Sequence, residues 1–256
     1  MVYFIGAGPG AVDLITVRGQ KLLQKADVII YAGSLVNKEL LDYKKDDCQT
    51  FDSAKMTLEE VIDQIKKAEK AGKNTVRLHT GDPCIYGAVR EQMDALDSLG
   101  ISYESVPGVS SFCAAAASLN LEYTLPDVSQ SLIISRLEGR TPVPKKESLS
   151  SLARHKASMV LFLSSGMCQK VQDELISAGM SPQTPAALVY KASWKDEKKV
   201  LCTVGSLAQR AAENGISKTA LIIVGEVLSH SSYSRSKLYD PSFSTEFRKA
   251  KSSDEK

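Results

Sequence analysis

The stretch Thr75-Val76-Arg77-Leu78-His79-Thr80-Gly81-Asp82-Pro83-Cys84-Ile85-Tyr86-Gly87 decides how the rest of the chain is read. Its first half follows Gly72 and alternates β-branched or apolar residues with polar ones, which predicts a buried strand. The strand runs into Gly81-Asp82-Pro83, a sharp turn. Gly81 lets a ligand approach the backbone because no Cβ stands in the way. Asp82 can cap a following helix, and Pro83 suits its first position. Ligands of α/β folds bind at the carboxyl ends of strands, where this turn falls. Capping alone would also account for Asp82, so its meaning depends on the other turns.

Outward from the turn, the first elements repeat one pattern. Val2-Tyr3-Phe4-Ile5 is an apolar run ending in Gly6-Ala7-Gly8-Pro9-Gly10. Thr16 is placed to cap a helix to about Lys25, and Ala26 to Tyr31 reads as a second strand. Ser34 to Tyr43 is expected to be helical, followed by a charged loop. Thr57 and Glu60 form a capping box ahead of a helix with Leu58, Val61, Ile62, Ile65 and Ala68 on one face, stopped by Gly72. After the opening stretch, a second amphipathic helix passes through Val89, Met93 and Leu96 to Gly100. Ser102 to Val106 is another strand, and Ser110 and Ser111 cap an alanine-rich helix from Phe112 to Leu119. A helix N-terminus with two hydroxyls can hold polar ligand atoms. Strands alternating with helices predict a mainly parallel sheet covered on both faces.

Leu121 to Gln130 is polar and aperiodic, which marks a link to a second α/β series. Strands are expected at Ser131–Ser135, Met159–Leu163, Ala186–Tyr190, Lys199–Val204 and Ala220–Val224. Helices are expected from Ser164 to Gly179 and from Ser206 to Asn214. The loop from Arg136 to Pro144 is long, carries Arg136 and Arg140, and suits substrate contact. The expected organisation is an N-terminal α/β domain over residues 1–120, a C-terminal α/β domain over 121–230, and a polar tail over 231–256. Disorder is expected from Lys249 onward.

Composition excludes several classes. With 256 residues, 43% of them hydrophobic, the chain can bury a real core as one large or two modest domains. Lys and Arg number 32 against 30 Asp and Glu, and they form no stripe, so a nucleic-acid partner is not expected. Cys48, Cys84, Cys113, Cys168 and Cys202 contain no C-x-x-C pair, which argues against a metal site and for free thiols in a reducing compartment. The apolar runs are too short to cross a bilayer, and no basic leader precedes the first strand. A cytoplasmic protein without a membrane partner is the expectation.

The chemistry is narrowed in the same way. Gly6-Ala7-Gly8-Pro9-Gly10-Ala11 fits the dinucleotide pattern G-x-G-x-x-G/A, but Pro9 removes an amide where pyrophosphate would be cradled. The next strand ends in Ala32-Gly33-Ser34, with no acid for a ribose. No lysine-bearing phosphate loop and no Ser-His-Asp order occurs. His79, His155 and His230 lack metal spacing and read as structural. Glycine turns without catalytic side chains suggest chemistry carried by a cofactor.

Six segments taken in order resemble the tetrapyrrole methyltransferases that use S-adenosylmethionine. They are Gly6-Ala7-Gly8-Pro9-Gly10, the turn Thr80 to Gly87, Val106-Pro107-Gly108-Val109-Ser110-Ser111, Val160 to Leu163, Thr184 to Tyr190, and Ala220 to Gly225. The resemblance implies two α/β domains with mainly parallel sheets, donor and macrocycle in a cleft between them, and a homodimer. It places the donor at Pro9, Thr80, Gly81, Asp82, Ile85, Ser110, Ser111, Leu163, Ala187 and Ala220. No catalytic residue is implied. Leu163 stands where the sirohaem-forming branch has methionine, and Thr80 where that branch has glycine, which argues against uroporphyrinogen III as substrate. Tyr31 to Val36, Glu138 to Pro144, Phe162 to Ser165 and Tyr190 to Glu197 resemble the branch that methylates carbon 11 of precorrin-4 in cobalamin synthesis. A many-carboxylate substrate would then employ Arg136, Arg140, Lys191 and Lys195, with Trp194 as a flat apolar face. Each of the four cations also reads as an ordinary surface charge. A nicotinamide oxidoreductase and a non-catalytic small-molecule sensor are the rival classes. Retention of NAD(P) would mark the first, and donor binding without turnover the second.

Overall fold

A computed structural model of the chain describes residues 1–229 and 233–250. His230 and the tail from residue 251 lie outside the described residues. The chain forms two compact units. The first comprises Met1–Leu119 together with Tyr190–Lys198, and the second Asn120–Val189 with the chain from Lys199 onward.

The first unit is built on a five-stranded sheet of β1 (Val2–Gly6), β2 (Val28–Tyr31), β3 (Gln49–Asp52), β4 (Thr75–His79) and β5 (Tyr103–Val106). Their order is β3-β2-β4-β1-β5, and every pairing is parallel. Alternation along β1 sends Ile5 to one face and Val2 and Phe4 to the other. Ile5 packs with Leu23 and Ala26 at the end of helix α1 (Val17–Lys25), and Phe4 with Val61, Ile62, Ile65 and Leu96 from α2 (Leu58–Lys70) and α3 (Arg90–Ser98). Helices on both faces bury the sheet, so ligand access is left to the strand ends.

The local start signals act as read. Thr16 accepts the amide of Gly19, and Thr57 and Glu60 close a reciprocal capping box. Gly72 and Gly100 take φ of +66° and +65° just past α2 and α3, the left-handed conformation that ends a helix.

Three expectations are corrected and one strand is added. The helix over Ser34 to Tyr43 is only a 3-10 segment, Lys38–Tyr43, entered where Asn37 accepts the amide of Glu39. The strand β3 was not expected, because an edge strand half open to water carries too little apolar alternation to read. Asp82 does not cap a helix and Pro83 does not begin one. Residues 83–86 form a turn, Tyr86 and Ala88 stand at φ of +56° and +48°, and α3 begins only at Arg90. Left-handed residues cannot continue a right-handed helix, so the entry is displaced. Finally, the alanine-rich helix α4 spans Ser111–Leu119, so Ser111 belongs to the helix rather than capping it.

The second unit holds a sheet of β6 (Leu132–Arg136), β7 (Ser158–Phe162), β8 (Pro185–Tyr190), β9 (Lys198–Thr203) and β10 (Ala220–Val224), ordered β6-β7-β10-β8-β9. β6 and β7 are parallel, whereas β10 runs antiparallel to β7. Every residue of β10 is buried, and a strand covered on both faces shows no alternation from which to read direction. Helices α5 (Leu149–Ala153), α6 (Cys168–Ser177) and α7 (Leu207–Glu213) complete the unit. The short α5, capped by Ser148, was not expected from the sequence. No described helix is long and apolar enough to cross a membrane.

Candidate functional site

The carboxyl ends of β1, β4 and β5 meet backbone to backbone. A Cβ built on Gly6 would lie 2.5 Å from the Gly108 Cα and 2.6 Å from the Gly81 carbonyl oxygen, and one on Gly108 would lie 2.2 Å from that oxygen. Nothing larger than glycine fits at Gly6 or Gly108, because backbone atoms cannot swing aside. Gly8 and Gly81 extend the junction by exchanging two hydrogen bonds, Gly8 N to Gly81 O at 3.2 Å and Gly81 N to Gly8 O at 2.8 Å. His79 adds a third tie through its carbonyl, which accepts the Ala7 amide at 2.7 Å.

Asp82 binds this junction to the next loop. One carboxylate oxygen accepts the Cys84 amide and the other the Gly108 amide, both at 2.8 Å. Burial works against its charge, but the hydrogen bonds from Cys84 and Gly108 outweigh it and hold the carboxyl below its ordinary value. The Cys84 thiol, exposed but hydrogen-bonded to that carboxylate, is pushed up. Gly108 leads through Ser110, which is buried and whose carbonyl receives the Cys113 and Ala114 amides at the start of α4. Gly81 stands at φ +60°, and a Cβ there would lie 3.6 Å from the Ser110 Cα and the Ser111 nitrogen. That Cβ would meet the start of α4 in ordinary contact, so the glycine answers the left-handed backbone and leaves bare backbone against which an organic ligand can lie.

The donor positions expected from the sequence fall into two sets. Pro9, Thr80, Gly81, Asp82, Ile85, Ser110 and Ser111 lie in the first unit, on or beside the joined turns. The Thr80 hydroxyl donates to the Leu35 carbonyl at 3.4 Å. Leu163, Ala187 and Ala220 lie in the second unit. Leu163 follows β7 at φ +53° with 65% of its surface exposed, a strained and solvent-facing apolar residue. Continuing the β7–β10 register sets Leu163 level with Ala220, the first residue of β10. Ala187 is buried within β8.

The expected substrate residues are placed less simply. Arg136 is half-buried and donates to the carbonyls of Leu137, Thr141 and Pro142, so its guanidinium shapes its own loop. Arg140 is exposed on that loop. Lys191 pairs with Asp196 at 2.6 Å, which raises its pKa, and lies 5.5 Å above the Trp194 ring. Lys195 pairs with Glu39 at 2.9 Å. The Trp194 Nε1–H donates to the Pro9 carbonyl at 2.9 Å, a contact that the sequence does not signal. The N-terminal glycine loop is also no pyrophosphate cradle. Pro9 has no amide, and those of Gly8 and Ala11 are taken by Gly81 and the Ser193 hydroxyl.

Beneath the site, His79 and Arg77 are buried on the face of β4 turned toward α3. Arg77 donates to the Gln92 side chain and the Ile30 carbonyl, and burial pushes its pKa down to about 10. His79 lies 6.1 Å from the Phe4 ring, and its Nε2 has no hydrogen-bond partner among the described residues. Burial, helped by the Arg77 charge, pushes its pKa down to about 3, so it is neutral. Among the described residues no cluster of three or more His, Cys, Asp or Glu could hold a metal.

Comparison with known proteins gives the chain's relatives. A family model described as Tetrapyrrole (Corrin/Porphyrin) Methylases matches residues 1–208. The chain is 55% identical over 249 residues to a cobalt-precorrin-4 C(11)-methyltransferase of Methanocaldococcus jannaschii, covering 97% of this chain and 96% of the relative. It resembles the X-ray structure of a cobalt precorrin-4 methyltransferase with a TM-score of 0.87 and 50% identity, over 89% of this chain and 95% of that one. A uroporphyrin-III C-methyltransferase from Thermus thermophilus, complexed with S-adenosyl homocysteine, follows at a TM-score of 0.77 and 28% identity, over 90% and 99%.

Proposed function

The chain belongs to the tetrapyrrole (corrin/porphyrin) methylase family, and on that premise we propose that it transfers a methyl group from S-adenosylmethionine to carbon 11 of precorrin-4 or its cobalt complex, in cobalamin biosynthesis. The observation that carries this reading is the likeness to the M. jannaschii enzyme along nearly the whole of both chains. The substrate-side segments Glu138 to Pro144 and Tyr190 to Glu197 support it, because all family members present one sulfonium and only macrocycle contacts can choose a carbon.

The joined turns fit the donor on this chain's own geometry: Gly81 leaves open the space that a Cβ would fill, and Asp82 and Ser110 offer polar groups at its edge. Pro9, Thr80, Gly81, Asp82, Ile85, Ser110, Ser111, Leu163, Ala187 and Ala220 would hold it. The donor supplies an electrophilic methyl group on a sulfonium. Transfer to carbon disperses that charge, so a site poor in water and strong ions favours it, and the protein's main task is alignment. Leu163 offers an apolar surface for that purpose. Arg136, Arg140, Lys191 and Lys195 would steer the substrate's carboxylates, Arg140 and Lys195 from exposed positions. The protein is further read as a cytoplasmic homodimer with no nucleic-acid or membrane partner.

The test is incubation with donor labelled in the methyl group and with precorrin-4, its cobalt complex and uroporphyrinogen III in turn, followed by NMR of the product. Label at carbon 11 is expected with the first two, and almost no turnover with the third. Label at another ring carbon would move the chain to a different branch and leave the family unchanged. The second reading, a uroporphyrinogen methyltransferase, draws on weaker likenesses, at 28% identity to the Thermus enzyme and 32% to a uroporphyrinogen-III C-methyltransferase of Bacillus subtilis.

A further inference from the structure

The segment Tyr190–Lys198 is a finger that leaves the second unit in sequence and packs as part of the first. It is tied there to the β1–α1 loop, to Glu39 and to α4. The Trp194 Nε1–H donates to the Pro9 carbonyl at 2.9 Å, and the Ser193 hydroxyl accepts the Ala11 amide at 3.0 Å. Lys195 pairs with Glu39, and Glu197 accepts the Ser118 hydroxyl at 2.7 Å. The other oxygen of Glu197 accepts the Ser193 amide at 2.6 Å, which fixes the finger's bend. Lys191 and Ser193 hold φ of +47° and +70°, so the finger maintains a shape that costs energy.

The fit between finger and loop is tight at one point. A Cβ on Gly10 would lie 2.1 Å from both Cδ1 and Nε1 of Trp194, so the indole occupies the space of the missing side chain. The loop is thereby held on three sides: Pro9 by Trp194, Gly10 by the Asn37 amide at 2.9 Å, and Gly8 by its double hydrogen bond to Gly81. A shift of Pro9 must therefore be felt at Gly81, and through Asp82 at Gly108 and Ser110.

We infer that Trp194 is a positioning residue for the donor. It acts through Pro9 and Gly10 to set the β1–α1 loop against Gly81, and it is not itself a platform for the macrocycle. The inference rests on the donor site proposed above. A ring with its N–H committed to Pro9 and a lysine over its face is suited to hold a loop and poorly placed to stack freely on a substrate.

The test uses the full chain, with S-adenosylhomocysteine as an unreactive probe. Trp194→Phe keeps a ring against Gly10 and removes only the N–H. It should weaken the probe in calorimetry about five-fold, the scale of one neutral hydrogen bond, and leave the KM for the tetrapyrrole unchanged. Gly10→Ala should weaken the probe by about ten-fold or more with Trp194 present, and by less than about two-fold in a Trp194→Ala background, where the colliding ring is gone. Equal losses in both backgrounds would overturn the inference. An unchanged probe affinity in Trp194→Phe with a raised tetrapyrrole KM would do the same, assigning the ring to the substrate. Wild-type protein that binds the probe but methylates no precorrin-4 would sink the proposed substrate and leave this comparison intact.

Discussion

The carboxylate of Asp82 accepts the amide of Gly108 at 2.8 Å, joining two strand-end loops that lie 26 positions apart. Its other oxygen holds the Cys84 amide, so a residue with the look of a helix cap serves as a clasp. Asp82→Asn keeps one acceptor and turns an amide donor toward one of two donors. It should lower stability by about 1 kcal/mol, the scale of one hydrogen bond lost at a half-buried site, and weaken the donor more than about ten-fold. Chemical denaturation and calorimetry separate the two effects. Lost stability with unchanged donor affinity would confine Asp82 to architecture.

Gly81→Val should abolish binding of S-adenosylmethionine in a protein that still folds. At φ +60° a β-branched residue is strained, by about 1–3 kcal/mol, and its methyl groups would extend into the space beside Ser110. Gly81→Ala, whose Cβ meets only ordinary contacts at 3.6 Å, should lose affinity less steeply. Normal binding by the valine variant would place the donor elsewhere.

Gly6→Ala and Gly108→Ala should be far more damaging to the fold than Gly81→Ala. Their added methyl groups meet backbone at 2.5 and 2.2 Å, where nothing can give without parting β1, β4 and β5. A loss of about 3 kcal/mol or more is expected from each in urea denaturation. A loss below about 1 kcal/mol would show that the three strand ends are loosely joined.

His79 should make stability depend on pH. Its folded pKa is about 3 against 6.5 for the free side chain, so below pH 6.5 the unfolded chain binds a proton that the folded chain refuses. Stability is therefore full above about pH 6.5 and falls steadily toward pH 3, by about 2 kcal/mol at pH 5. His79→Leu should flatten that part of the profile. An unchanged slope would mean that the imidazole reaches a proton in the folded state.

Arg140→Ala should reduce turnover of precorrin-4 about ten-fold or more while leaving donor affinity within about two-fold. Its loop position and exposure suit a carboxylate grip, and small misplacement of the macrocycle is costly in rate. Equal loss with every substrate carboxylate pattern would instead point to a general electrostatic role.

What the sequence disclosed was local. The β4 strand, its glycine turn and the Thr57–Glu60 capping box are written in adjacent residues, because propensity and capping act over a few positions. The clasp from Asp82 to Gly108 and the bond from Trp194 to Pro9, 185 positions away, depend on which strand ends the sheet order brings together. Strand β3 escaped notice because an edge strand needs little apolar alternation, and β10 hid its direction because it is buried throughout. Asp82 misled for a chemical reason: one carboxylate satisfies a helix start or a loop with equal ease.

The finger also bears on how the protein is made. Synthesis delivers all five strands of the first sheet by Val106, but the residues that finish its β1–α1 loop arrive only at Tyr190–Lys198. On the ribosome the N-terminal unit must therefore wait, its Pro9 carbonyl unpaired, while most of the second unit is still being translated. The β1–α1 loop is thus translated well before the residues that hold it in place.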